Sequence, residues 1–232
     1  MIINKGDFFM NIEKKRNGAK QLAIIAMFCA LSFASMLVIK IPVQFLDLDV
    51  KDSIIILCGL IFGPIPAILV SFIVPLMQFI TISSTGHYGL IMNVLSSLSF
   101  SLVASLVYKY KKTFYGAIVG LVSGVLSMTA VMMLANLLIT PHYMNVPTET
   151  VAALIPTLLL PFNLIKAILN AAIVLLLYKP LSNILKKIGV IEKSQNDVMK
   201  NTTNSKRSIV VTIISLAIVV MSIAIIFFVL RA

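Results

Sequence analysis

The chain has 232 residues, of which 59% are hydrophobic and only 12% are charged, and its mean hydropathy is +1.05. Soluble globular domains carry about a quarter charged residues, so this composition excludes a soluble domain and indicates a polytopic membrane protein. The net charge of +11 does not indicate nucleic-acid binding, because no soluble module remains to present a basic patch.

Seven apolar segments follow one another along the chain. A membrane-spanning helix needs about 20 apolar residues to cross a hydrocarbon core of about 30 Å. The segments that reach or approach this length are 21–39, 53–62, 65–82, 88–108, 114–139, 151–178 and 209–230. The second and third are separated by Gly63-Pro64-Ile65-Pro66. Two prolines so close together cannot both lie inside a regular helix, so a tight turn is predicted, with one kinked helix as the alternative.

Basic residues predict the orientation of these segments. Clusters of Lys and Arg precede the first segment, follow the fourth and follow the sixth. They share one side of the membrane only if the second and third segments cross separately, and the positive-inside rule makes that side cytoplasmic. We therefore expect a multi-pass protein of the cell membrane whose N-terminus (1–20) is basic and cytoplasmic. Residues 181–208 then form a basic polar linker.

The chain carries no motif for catalysis. Cys29 and Cys58 both lie in apolar segments, where they are best interpreted as small apolar residues rather than disulfide partners or metal ligands. No phosphate-cradling loop ending in Lys-Ser or Lys-Thr is present, so ATP hydrolysis is not expected of this chain.

One lysine stands in the middle of the sixth segment. Placing Lys at the centre of a membrane helix costs roughly 2.5 to 3.5 kcal/mol, so Lys166 is expected to face a polar cavity and to mark a binding or transport site. Asn163 and Asn170 share its helical stripe, at i, i+3 and i+7. The stripe is polar within an otherwise apolar segment.

Further polar residues lie on the predicted outer side. The loop after the first segment alternates apolar and acidic residues from 46 to 50 and can fold back as a lid. The alternative is a solvated loop in which Asp52 or Ser53 caps the next helix. Asn136 lies near the predicted outer end of the fifth segment. It is interpreted either as a ligand-binding residue or as a residue that hydrogen-bonds a neighbouring helix. Helix packing is the expected role of Gln78, Asn93 and the serines at 96, 97, 99 and 101.

A stripe of small residues, Ala26, Ala30 and Ala34, recurs every four residues in the first segment. Small side chains let another helix backbone approach closely. From spacing alone, packing within the chain is favoured over packing against a partner.

Together these residues resemble the substrate-binding S components of energy-coupling factor (ECF) vitamin transporters, and within that family the riboflavin-specific S component. The resemblance covers roughly residues 20 to 180. It rests on the loop from Phe45 to Asp52, the turn Gly63-Pro64, Asn136 followed by Pro141-His142-Tyr143, and Pro161-Phe162-Asn163-Leu164-Ile165-Lys166, which is the most specific. The third and fourth segments carry no such motif.

The resemblance implies an all-α integral membrane protein with a six-helix core at 21–180 and a vitamin pocket open to the outside. Asn136, Asn163 and Lys166 look like the residues that hydrogen-bond the flavin. Aromatic and aliphatic walls are expected from Phe45, Leu46, Tyr143 and Phe162. Asp47, Asp49 and Asp52 would belong to the gating loop, and the alanine stripe would contact the transmembrane T component.

The resemblance also implies the function. We expect a high-affinity riboflavin-binding subunit that delivers its substrate with a T component and two ATPase subunits, without cofactor, metal or enzymatic activity of its own. The alternatives are an S component for another vitamin or precursor, and an ion-gradient-driven secondary transporter that uses Lys166. The segment 209–230 departs from the six-helix pattern, and we predict a seventh crossing that serves as an accessory anchor, with the C-terminus outside.

Overall fold

The computed structural model describes residues 5–187, 213–222 and 224, with side chains described from residue 18 except residue 186. Helices dominate this part of the chain. In order, the elements are α1 (Lys5–Val38), β1 (Lys40–Val43), β2 (Leu46–Asp49), α2 (Lys51–Phe62), α3 (Pro64–Ile82), α4 (Gly86–Tyr110), α5 (Phe114–Met144), α6 (Thr148–Leu154), a π-helical turn (Ile155–Leu159) and α7 (Leu160–Lys187). A further short apolar helix spans Ile213–Ser222.

The break between α2 and α3 falls at the predicted turn. Gly63 adopts a φ of 97°, a conformation that L side chains rarely take, and α3 begins directly at Pro64. The alternative of one kinked helix is therefore wrong. At 12 residues, α2 is only about 18 Å long and too short to cross a membrane alone. It is almost entirely buried and forms the centre of the bundle.

Five helical stretches in the described part of the chain are long and apolar enough to cross a membrane: Gly18–Val38, Pro64–Ile82, Gly86–Tyr110, Phe114–Met144 and Thr148–Leu185. Their outward faces carry exposed leucine, isoleucine and phenylalanine side chains, such as Leu22, Ile65 and Phe72. Buried serines, asparagines and charged residues lie inside. Apolar residues outside and polar residues inside are what a helical bundle in lipid requires.

A β-hairpin interrupts the predicted all-helical pattern between α1 and α2. Strands β1 and β2 pair antiparallel, with Lys40 opposite Asp49 and Val43 opposite Leu46. Gln44 takes a left-handed φ of 54° in the turn. The alternation of apolar and acidic residues, interpreted above as a lid loop, is the period-2 pattern of a strand. Burial does not alternate with it, because Leu48 and Asp49 are both buried. The hairpin packs Val43 and Leu48 against Phe162 and Leu169 of α7.

The sixth predicted segment is not one regular helix. The π-helical turn Ile155–Leu159 joins α6 to α7 and contains Pro156, while Pro161 lies in the first turn of α7. Neither proline can donate a backbone hydrogen bond, which favours a local widening of the helix at this point. The turn sits directly before the stripe that contains Asn163 and Lys166.

Helices α4 and α5 approach closely through glycine. A Cβ atom built on Gly120 would lie 2.7 Å from the carbonyl oxygen of Ala104 in α4, and one on Gly124 would lie 2.5 Å from the Phe100 ring. Only glycine allows this separation of the two backbones. The close packing fixes the position of α4 relative to α5, and with it the positions of the residues of both helices that face the hairpin.

The C-terminal apolar helix is described only over Ile213–Ser222 and residue 224. Val219 packs against the cluster formed by the hairpin and α7. Ser215 and Ser222 are buried on the same face, whereas Ile213, Ile214, Leu216 and Val220 are exposed. The remainder of the predicted linker and seventh crossing lies outside the described residues.

Candidate functional site

A cavity of about 100 Å³ lies between the hairpin and the hairpin-side parts of α4, α5 and α7. It is lined by all seven residues that the sequence analysis assigned to substrate binding, brought together from three separate parts of the chain: Phe45, Leu46, Asn136, Tyr143, Phe162, Asn163 and Lys166. Asp47 of the predicted gating loop also lines it.

Asn136 is held by its own helix. Its Nδ2 donates to the Met132 carbonyl oxygen at 2.7 Å, and its Oδ1 accepts from the Thr140 hydroxyl at 2.9 Å. Among the described residues no bond from Asn136 to a neighbouring helix is present, so the helix-bridging alternative is not found. The side chain is fully buried and lines the cavity in a fixed orientation.

Asn163 is positioned by the π-helical turn. Its Nδ2 donates to the carbonyl oxygen of Leu159, the last residue of that turn, at 2.8 Å. Within the described part of the chain this is its one side-chain hydrogen bond. An asparagine amide offers two donors and one acceptor oxygen. One N–H and the carbonyl oxygen of Asn163 are therefore available to a bound molecule.

Lys166 has a counterion that the sequence analysis did not identify. Its Nζ lies 3.0 Å from Asp49 Oδ2 and donates to the Asp47 carbonyl oxygen at 3.1 Å. The same Asp49 oxygen lies 2.9 Å from Lys51 Nζ, which also donates to Asn93 Oδ1 at 2.6 Å. One buried carboxylate thus pairs with two ammonium groups, and the midspan lysine is compensated by the hairpin.

The pKa of Asp49 reflects this arrangement. Burial alone would raise it, but the charges and hydrogen bonds of Lys166 and Lys51 outweigh burial and lower the pKa to about 2. Asp49 is therefore ionised at neutral pH. Its stabilising contribution is fully present above the ordinary pKa near 3.8 and is lost only as the pH falls towards 2.

Asp52 and Ser53 connect α2 to other helices rather than capping it. The N-cap residue of α2 is Val50, which makes no side-chain cap. Asp52 accepts a hydrogen bond from Ser97 of α4. Ser53 donates its backbone N–H and its hydroxyl to Asn170 Oδ1 at 2.8 and 2.6 Å. The capping interpretation of these two residues is therefore wrong.

Asn170 completes the attachment of the hairpin to α7. Its Nδ2 donates to the Asp49 carbonyl oxygen at 3.0 Å and to the Lys166 carbonyl oxygen at 2.9 Å. Together with the Lys166–Asp49 pair, this bond fixes the end of β2 on the polar stripe of α7. By contrast, Asp47 pairs with Lys40 across the hairpin at 3.0 Å, and both side chains are partly exposed.

Helix α4 forms a cavity wall that the sequence analysis missed. The lining includes the N-cap residue Thr85 and residues on one face of α4, which recur with the helical period: Tyr88, Gly89, Met92, Asn93 and Ser96. Asn93 and Ser96 had been interpreted as packing groups. The periodicity of these residues was a usable signal, whereas Gln78 is buried elsewhere and does not line the cavity. Tyr88 contacts Tyr143 edge-on, with ring centroids 6.1 Å apart.

The alanine stripe of α1 faces outward. Ala26, Ala30 and Ala34 are all exposed in the described structure, between the buried positions 25, 28, 29, 32 and 36 of the same helix. Packing of the stripe within the chain, which spacing alone favoured, is not found among the described residues. The stripe leaves a narrow surface on which another helix can lie closely.

Comparison with known proteins identifies the family. The family model described as the substrate-specific component of ECF transporters matches residues 20–178. The chain belongs to this family. The family consists of transporter components rather than enzymes. The several long apolar helices of the chain agree with this. The family match ends before the linker and the C-terminal helix.

Two curated relatives are also similar to the chain. The riboflavin transporter RibU of Staphylococcus aureus (strain TCH60) is 32% identical over 191 residues, covering 77% of this chain and 100% of that protein. The riboflavin transporter FmnP of Bacillus subtilis (strain 168) is 28% identical over 172 residues, covering 68% and 90% respectively. A solved structure of the S component of a bacterial ECF transporter aligns with a TM-score of 0.63 and 30% identity, covering 73% of this chain and 99% of that one.

We predict that Asn170→Leu lowers the free energy of unfolding by about 1–3 kcal/mol, because Ser53 and the Asp49 carbonyl would lose buried hydrogen-bond partners. Asn170 is not among the residues that line the cavity. Thermal or denaturant unfolding of the ligand-free protein in detergent measures the change. Thr157→Ala, at an exposed position of the π-helical turn, is the matched control. Equal stability of the two variants would contradict the role given to Asn170.

Proposed function

We propose that this protein is the high-affinity riboflavin-binding subunit of an ATP-driven ECF uptake transporter. The observation that carries the proposal is the convergence of Asn136, Asn163 and Lys166 with four apolar or aromatic residues on one cavity. Family membership and the two relatives named as riboflavin transporters support the same ligand.

The chemistry of the cavity fits a flavin. Riboflavin presents ring carbonyls, an imide N–H and a chain of hydroxyls, so it calls for amides that both donate and accept hydrogen bonds. Asn163 has both kinds of group available, and Asn136 stands across the cavity on α5. The flat ring needs apolar walls, which Phe45, Leu46 and Phe162 provide.

The size of the cavity supports a gating role for the hairpin. Pockets for ligands of this class measure about 300–1,000 Å³, whereas the cavity is about 100 Å³. The hairpin turn contributes Phe45 and Leu46 to its lining. Displacement of the hairpin therefore enlarges the cavity and opens it on the side that the charge distribution makes extracellular. Asp47 and Asp49 move with the hairpin, whereas Asp52 belongs to α2.

Transport requires partners in this proposal. By its membership of the ECF family, we propose that two ATPase subunits supply the energy and that a T component transmits it. The exposed stripe of Ala26, Ala30 and Ala34 is the proposed contact with the T component. We place the N-terminus in the cytoplasm by the positive-inside rule. Although α2 is too short for a full crossing, Phe45 before it and Thr85 after α3 line the same cavity, so α2 and α3 together return the chain to one side. The bound molecule is a transported substrate rather than a cofactor.

Protein purified from riboflavin-replete cells without partners should be yellow, and the stripped protein should quench flavin fluorescence on titration. We expect Asn163→Leu to raise the riboflavin Kd about 10- to 100-fold, because the ligand loses hydrogen bonds in a buried site. Thr157→Ala, on the exposed side of the π-helical turn, is the control and should bind like the wild type. A colourless wild-type protein that leaves flavin fluorescence unchanged would refute riboflavin as the ligand.

A second prediction concerns the alanine stripe. Ala30→Leu should abolish most riboflavin uptake and co-purification of the T component, because the larger side chain holds the partner helix away. Riboflavin binding to the isolated variant should be unchanged. Val122→Leu, an exposed position of α5, serves as the control. Uptake by the chain alone, driven by a proton or sodium gradient, would instead support a secondary transporter.

A third prediction concerns topology. We propose that residues 209–230 form a seventh crossing and an accessory anchor, with the C-terminus outside. Cys29 and Cys58 are buried, so a single cysteine introduced at residue 232 reports its own accessibility. It should react with a membrane-impermeant thiol reagent in intact cells, whereas a cysteine at residue 112 should react only after permeabilisation. Protection of residue 232 in intact cells would place the C-terminus in the cytoplasm and exclude a seventh crossing.

A further inference from the structure

The charges around the cavity compensate one another. Among the described residues that line it, Lys166 and Asp47 are the charged ones. Asp47 pairs with Lys40 at the partly exposed side of the hairpin. Lys166 pairs with Asp49, which lies behind the lining and is 1% exposed. A molecule in the cavity therefore meets an ammonium group whose charge is already neutralised.

Asp49 also pairs with Lys51. The charge balance around the cavity is therefore sensitive to Asp49 alone. The buried cluster contains Lys51 and Lys166, each paired with Asp49 Oδ2, and Asp52, which accepts from Ser97. Two lysines and two aspartates give a net charge of zero. Because two cations share Asp49, removal of its charge leaves both without an ion-pair partner.

We propose that Asp49 is a specificity-determining residue that neutralises Lys166 and thereby adapts the cavity to an uncharged ligand. The inference rests on the proposed riboflavin-binding function and goes beyond it by assigning the charge selectivity to one residue. A buried negative charge is costly unless it is paired. The phosphate of a phosphorylated ligand finds no free cation among the described lining residues while Asp49 is ionised.

The pair riboflavin and riboflavin 5′-phosphate tests this directly, because the two ligands differ by one phosphate group. Asp49→Asn keeps the shape of the side chain and raises the net charge of the cluster by one unit. We expect the ratio of the phosphate ester Kd to the riboflavin Kd to fall about tenfold relative to the wild type, since an uncompensated charge acts strongly in a desolvated site. Fluorescence titration of the purified, stripped protein gives both constants.

A change in the opposite direction comes from Lys51. Lys51→Met removes a cation but keeps the Asp49–Lys166 pair, so the same Kd ratio should rise above the wild-type value. The double variant Asp49→Asn/Lys51→Met restores neutrality, and its ratio should return towards the wild-type value. Lys109→Gln removes an exposed charge from the last turn of α4, about 20 Å along the helix from Ser96, and should leave the ratio unchanged, because solvent screens it.

The outcomes separate charge selectivity from a purely structural role. If Asp49→Asn weakens both ligands by the same factor, Asp49 only supports the fold and the inference is overturned. If Asp49→Asn does not fold, an unchanged ratio in Lys51→Met overturns it equally. Wild-type protein that fails to bind riboflavin would refute the proposed function, and the inference with it. Wild-type binding combined with unchanged ratios in every variant would refute the inference alone.

Discussion

The charge of a lysine buried at membrane depth must be compensated. The cavity and the hairpin beside it depend on the counterion that compensates Lys166. An isolated ammonium in a low-dielectric interior is so costly that it acquires a counterion or loses its proton. Here the counterion of Lys166 is not on another membrane helix but on the hairpin. The electrostatic requirement of α7 therefore places Asp49, and with it β2, against the polar stripe. The cavity exists between α4, α5, α7 and the hairpin so placed.

The same attachment is compatible with the opening proposed for the hairpin. The strands of the hairpin are four residues each, and their apolar contact with α7 is limited to a small cluster. Most of the specificity of the closed position comes from ionic and amide groups. Water can solvate these groups when the hairpin swings outward, so they lose less on opening than apolar groups do. Segments held by few buried apolar contacts open at low free-energy cost, so the proposed ligand exchange would not require the bundle to unfold.

The sequence predicted the structural features that local patterns determine. Composition and segment length identify the membrane helices, the Gly63-Pro64 pair identifies the turn, and helical spacing places Asn163, Lys166 and Asn170 on one stripe. Motif resemblance brought residues from the hairpin, α5 and α7 to one site, and the structure places them around one cavity. Their roles in binding remain predictions.

What was missed depends on contacts between distant residues. Asp49 and Lys166 are 117 positions apart, and no local pattern in one chain specifies their pairing. The strand character of 46–49 was visible as alternation, but the partner strand Lys40–Val43 contains Pro42 and lacks the same pattern. In the sequence, Asn93 and Ser96 resemble the other polar residues of α4. Only the position of the hairpin shows that they line a cavity. Tertiary placement, rather than residue type, distinguishes a cavity wall from a packing contact.

The C-terminal helix lies beyond the matched family region and adds a contact to the hairpin. It presents the small residues Ser215 and Ser222 inward and a continuous apolar surface outward, which is the arrangement of a helix between protein and lipid. Val219 packs against the cluster that joins Val43 and Leu48 of the hairpin to α7. In the gating proposed above, displacement of the hairpin would break up this cluster and remove part of the surface that Val219 contacts. The proposed opening would therefore be energetically coupled to the C-terminal helix, whose described residues do not line the cavity.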